Sequence, residues 1–153
     1  MATYVLIASD APRLSGGVRS AYDVACDRLR RKVWPLYYRT SFAKSIASGD
    51  RCIVYTAGQH LHRQSFIGVA IVDRVAQWLN QDWYEHERLL TDTPDKVIEF
   101  DRFELCESPI SIRPFLSQLD MTGHRDHSWG SFVQGGVKKL SDADAALLEK
   151  VVV

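Results

Sequence analysis

The chain has 153 residues, of which 46% are hydrophobic and 25% charged, with a formal net charge of +0. That composition belongs to a soluble globular protein, long enough to bury a core without staples. It excludes a protein that coats nucleic acid by bulk charge but leaves room for a local basic patch. No apolar run is long enough to cross a bilayer. Three cysteines, Cys26, Cys52 and Cys106, are odd in number and widely spaced. That pattern fits a reducing, cytoplasmic setting without a disulfide framework. No repeat, low-complexity stretch or linker divides the sequence, so one domain is expected over residues 1–153.

Thr3 to Ala8 reads as a buried first strand rather than a signal peptide, since no basic leader precedes it. Ser9-Asp10-Ala11-Pro12 ends it, because proline cannot donate to a ladder. From Val18 the apolar period turns helical through Ala21, Tyr22, Ala25, Cys26 and Leu29, predicting an amphipathic helix of roughly four turns ending near Lys32. Val33-Trp34-Pro35-Leu36-Tyr37-Tyr38-Arg39 is strongly aromatic, and Pro35 argues against a regular helix through it. Thr40 or Ser41 is placed to cap a short helix carrying Phe42, Ile46 and Ala47, stopped by Gly49.

Two apolar, β-branched runs follow, Cys52 to Gly58 after Ser48-Gly49-Asp50-Arg51, and Phe66 to Val72, and both read as strands covered on two sides. Gly68 inside the second suggests a bulge, and paired, bent strands are how a sheet curls into a small barrel. Ala76 to Leu90 fits either a helix or a broad connection. Val97 to Cys106 reads as a strand with an irregularity near Arg102. Pro109 to Pro114 is extended, with Pro114 opening a short helix. Ser131-Phe132-Val133 reads as extended and Gly135-Gly136 as a turn. Ser141 caps a last helix, with Asp144 three residues on as an approximate capping box. The order describes an α+β protein around a small, curved, mostly antiparallel sheet.

Several of these strings resemble the EVE domain family. Gly49-Asp50-Arg51-Cys52-Ile53-Val54-Tyr55 is similar to its Gly-Asp strand, and Phe66 to Val72 to the strand after it. Pro109 to Leu119 resembles its Pro-Ile and Pro-Leu-Leu segment. Trp129-Gly130, Phe132, Gly135-Gly136, Leu140-Ser141 and Asp144 resemble its C-terminal signature. EVE domains belong to the PUA-like superfamily, with YTH and ASCH domains. The resemblance covers about Val33 to the C-terminus and implies a PUA-like pseudo-barrel of mostly antiparallel strands flanked by helices. It also implies a pocket for one modified base of DNA or RNA. Ser9 to Lys32 departs from the compact family forms, so the wall that region supplies does not carry over.

Such a pocket needs flat apolar walls, polar groups to read the base edge, and cations outside to hold the backbone. Trp34, Tyr37 and Tyr38 are the wall candidates, against a core role for Trp34 and one tyrosine. Trp129 either meets the ligand or packs the C-terminal region. Ser9 and Asp10 match the polar position after the first strand in EVE and YTH domains. An aspartate there accepts a base N–H, or serves as a turn residue bonding its own backbone. Arg28, Arg30, Arg31 and Lys32, with Arg39, surround the aromatic segment. They form either a groove for the phosphate backbone or a solvated helix face. Neither His60 and His62 nor His124 and His127 joins a cysteine cluster, so no metal and no cofactor is expected.

The reading is therefore a non-enzymatic nucleic-acid-binding module for a modified base. One alternative is an ASCH-like hydrolase or nuclease, in which Asp10, Glu104 and the loop histidines would have to converge. Another is a protein-interaction domain using Trp78, Trp83 and Tyr84.

Overall fold

The computed structural model describes residues 1–13, 16–38, 40–79, 94–134 and 136–152. Strand β1 (Thr3–Ala8) is buried at every position. Its side chains alternate between two cores: Tyr4, Leu6 and Ala8 enter one, Val5 and Ile7 the other. A strand covered on both faces reads as an unbroken apolar run, which is the pattern of this segment.

The two short strands β2 (Ala11–Pro12) and β3 (Val18–Arg19) pair antiparallel with each other. Helix α1 therefore spans Ala21–Arg30, shorter than the period from Val18 to Lys32 predicts. Val18 and Arg19 are extended, and Ser20 is the N-cap, its hydroxyl accepting from the Asp23 N–H at 3.1 Å. Lys32, at φ 58°, ends the helical run. Strand β4 (Val33–Leu36) follows, then β5 (Arg51–Thr56), β6 (Ser65–Gln77), β7 (Lys96–Ser111), β8 (Val137–Lys139) and helix α2 (Asp142–Val151). Between β4 and β5 there are turns and not the expected short helix. Phe42, at φ 64°, is left-handed there, which breaks any helix at its start.

The six strands form one sheet in the order β4-β7-β6-β5-β1-β8. Only β1 and β5 are parallel; the other pairings are antiparallel. Strands β6 and β7, of 13 and 16 residues, are long for strands and bend at register shifts. One shift passes Gly68, which pairs with Leu105, and another leaves Asp101 unpaired beside Arg102. Both irregularities were expected from sequence. A Cβ on Gly68 would stand 2.5 Å from the Glu104 carbonyl oxygen, so the close approach of the two backbones needs glycine.

On one face of the sheet α1 packs Ala21, Ala25, Cys26 and Leu29 against Trp34, Leu36, Val54 and Ile98. On the other, the C-terminal part of the chain packs Leu116, Leu119, Val133, Leu148 and Val152 against Ile53, Tyr55 and Phe66. Gly130–Val133 is a 3-10 turn and not extended, because the Phe132 N–H donates back to the Trp129 carbonyl at 3.0 Å. Ser141 caps α2 as predicted. Asp144 does not complete a capping box: its carboxylate turns to the N–H groups of Asp120 and Met121, both at 2.8 Å. Among the described residues no helix is long and apolar enough to cross a membrane.

Candidate functional site

β4 and β8 are the two edges of the curled sheet. After β4 the described residues Thr40 to Ser45 lie against the opposite edge. Thr40 Cγ2 lies 3.8 Å from where a Cβ on Gly136 would stand, just before β8. The Phe42 ring is 6.3 Å from that of Tyr4 on β1, and the Ser45 and Tyr4 hydroxyls are hydrogen-bonded at 3.1 Å. This segment bridges the seam where the half-barrel does not close on itself.

An open cleft of about 560 Å³ lies along that bridge, within the range of small-ligand sites. Tyr38 and Phe42 contribute aromatic rings, 83% and 44% exposed. Thr40, Ala43 and Ser45 line it as well. Lys44 comes from the bridge, while Asp95 and Lys96 come from the start of β7. The Asp95 backbone is clamped in place: its N–H donates to Leu36 O at 2.8 Å, and its carbonyl accepts from the Trp78 N–H at 3.1 Å. Among the described residues, no hydrogen bond or ion pair engages the Asp95 carboxylate or either ammonium group.

The wall candidates divide. Tyr38 lines the cleft and Tyr37 beside it is half-buried. Trp34 is 2% exposed, in the first core, with the Arg28 guanidinium over its ring at 4.7 Å. Period-two alternation in β4 turns its indole inward with Leu36, so it is a core residue and not the cleft wall expected from sequence. Trp129 is 6% exposed, in the second core, with Arg113 over its ring at 6.0 Å.

Asp10 holds loops together. One carboxylate oxygen accepts from Ala21 N–H at the start of α1, the other from Gln59 N–H, both at 2.9 Å. His60 Nε2 is 3.7 Å from it. Gly58, at φ +90°, passes so close that a Cβ there would stand 2.4 Å from the carboxylate. Ser9 is exposed. Of the basic run, Arg28 covers Trp34, Arg31 bonds Asp27 at 3.0 Å, and Lys32 Nζ donates to the Asp101 carbonyl at 3.2 Å. Arg30 is exposed. Arg39, Trp83 and Tyr84 lie outside the described residues. The histidines are dispersed, His62 on the Tyr22 ring at 4.5 Å and His124 on Asp120. Among the described residues no cluster of His, Cys, Asp or Glu could hold a metal ion.

Phe42, Lys44, Asp95 and Lys96 were not singled out from sequence. No local signal pointed to them, since Lys44 falls on the polar side of the short helix expected there. Nothing local links Asp95 and Lys96 to the bridge; the pairing of Leu36 with Lys96 does that.

No protein-family model and no curated relative matches the chain. Solved structures do. The N-terminal domain of Staphylothermus marinus McrB is 9% identical, with a TM-score of 0.61 over 97% of this chain and 93% of that one. The human THYN1 protein, in complex with 5-methylcytosine-containing DNA, is 10% identical, with a TM-score of 0.60 over 99% and 96%. An ASCH protein from Zymomonas mobilis is 13% identical, with a TM-score of 0.60 over 99% and 96%. The fold is the PUA-like pseudo-barrel.

Proposed function

We propose that the chain, acting as one module over residues 1–153, is a non-enzymatic reader of nucleic acid that takes one modified base into the seam cleft. The observation that carries this reading is the pair of exposed rings, Tyr38 and Phe42, on one open cleft flanked by Lys44 and Lys96. Exposed aromatic rings hold bases by stacking, and cations beside them hold phosphates. The base must leave its own stack, at a cost of a few kcal/mol, which a damaged, unpaired or single-stranded position lowers. The THYN1 complex supports the reading by precedent, as a protein of this fold on methylated DNA. Two buried thiols, Cys26 and Cys52, suit a cytoplasmic setting.

The test is anisotropy titration at low salt with DNA and RNA oligonucleotides carrying methylated or hydroxymethylated bases, against unmodified controls. A modified oligonucleotide is expected to bind more tightly than its control. Tyr38→Ala is expected to remove about 1–3 kcal/mol, the worth of one stacked base. Equal, or no, binding of all oligonucleotides overturns the reading. The ASCH neighbour keeps a hydrolase reading in view, and turnover of RNA or modified nucleosides by the same preparation would favour it. Against it stands the engagement of both Asp10 oxygens by backbone N–H groups.

A further inference from the structure

We infer that Asp95 is a specificity-determining residue of the cleft, selecting bases that present an exocyclic amino group; this rests on the reading above. Asp95 is exposed and lines the same cleft as Tyr38 and Phe42, and its backbone is fixed at both N–H and C=O. An ionised carboxylate has acceptors and no donor. Cytosine and adenine offer an exocyclic amino group on the base edge, as guanine does at N2; thymine offers carbonyl acceptors in its place. A carboxylate accepts from an exocyclic amino group, and thymine, which has none, turns carbonyl oxygens towards it on either side of its single N3–H. Among the described residues no arginine, lysine or backbone N–H bonds this carboxylate, so its acceptors remain for a ligand. This contrasts with Asp10, whose two oxygens each accept a backbone N–H. Asp10 is the carboxylate that sequence pointed to for reading a base; the geometry assigns that task to Asp95.

Lys44 and Lys96 line the same cleft, and a competing role for Asp95 is to soften their charge. The two roles separate on a ratio. The experiment compares the full chain and Asp95→Asn on two oligonucleotides that differ only in carrying 5-methylcytosine or thymine at one position. Both bases carry the same methyl group, and they differ on the base edge at the amino group and ring N3. The wild type is expected to prefer 5-methylcytosine by roughly 5- to 150-fold, the worth of one good base-edge contact. Asp95→Asn, whose amide both donates and accepts, is expected to bring that ratio close to one. If Asp95 only softens charge, Asp95→Asn tightens both oligonucleotides equally and leaves the ratio intact, which overturns the inference. Equal wild-type binding of the two overturns it alone, provided Tyr38→Ala still weakens binding; failure of every oligonucleotide to bind overturns both it and the reader proposal.

Discussion

Asp144 is almost fully buried, and its two oxygens accept the Asp120 and Met121 N–H groups while its own N–H is held by Ser141. A buried carboxylate survives only where its acceptors are satisfied. Asp144→Ala leaves two backbone donors without a partner in the second core. The expected loss of unfolding free energy is about 2–4 kcal/mol, since each stranded donor costs about 1–3 kcal/mol. Urea unfolding measures it, and Asp144→Asn, which retains one acceptor oxygen, should lose less. An unchanged midpoint for Asp144→Ala would mean that water replaces the carboxylate at no cost. Sequence reading found the Ser141 cap because its partner is three residues away. The same local window placed Asp144 in a capping box, since residues 24 and 23 positions back are invisible to it. Asp10 illustrates the same limit, with partners 11 and 49 residues away.

Two elements meet where the 3-10 turn Asp120–Thr122 touches the start of α2. Asp120 accepts from the Ser141 hydroxyl and from His124 Nε2, both at 2.6 Å, while His124 Nδ1 lies 3.0 Å from the Ser117 carbonyl. The Ser117 carbonyl, then Asp120, raises the His124 pKa above 6.5. The Ser141 hydroxyl, then His124, lowers that of Asp120 below 3.8. For a raised histidine, stability is fully present below about 6.5 and is lost as pH rises through the folded value. For a lowered carboxylate, stability is present above about 3.8 and is lost as pH falls through the folded value. The contact is therefore strongest between pH of about 4 and 6.5. Both groups are exposed, so the effect is small. The urea midpoint should be higher at pH 5.5 than at pH 8, and His124→Gln should narrow that gap; a gap that His124→Gln leaves unchanged would place the pH dependence elsewhere. At this scale the strands were legible, because burial on two faces leaves long apolar runs, and Gly68 marked its bulge. Strand β4 was not, since Pro35 disguises it. Proline is tolerated there because β4 is an edge of the sheet.

At the scale of the whole molecule, 19 basic and 19 acidic residues cancel, so no long-range field draws a polyanion to this protein. Affinity must then come from the cleft and the few cations beside it. The basic run before β4 was legible in sequence as a cluster of charges. Its partners were not: Arg28 is spent on Trp34, Arg31 on Asp27 and Lys32 on the Asp101 carbonyl. Lys44 and Lys96 remain on the cleft, Lys96 placed beside the end of β4 by its pairing with Leu36. The two arrangements differ in the number of counterions released on binding. If Lys44 and Lys96 alone meet phosphates, the slope of log K against log salt should fall between about −1.4 for single strands and −1.8 for duplex. Affinity then drops only roughly tenfold between 50 and 200 mM salt. Were the whole basic run docked as well, the slope would be near −4 or steeper and the same change would cost a few hundredfold. A salt series on the full chain decides between them. A steep slope would move the backbone track to the face of α1, where phosphates would have to displace Asp27 from Arg31 and the Asp101 carbonyl from Lys32.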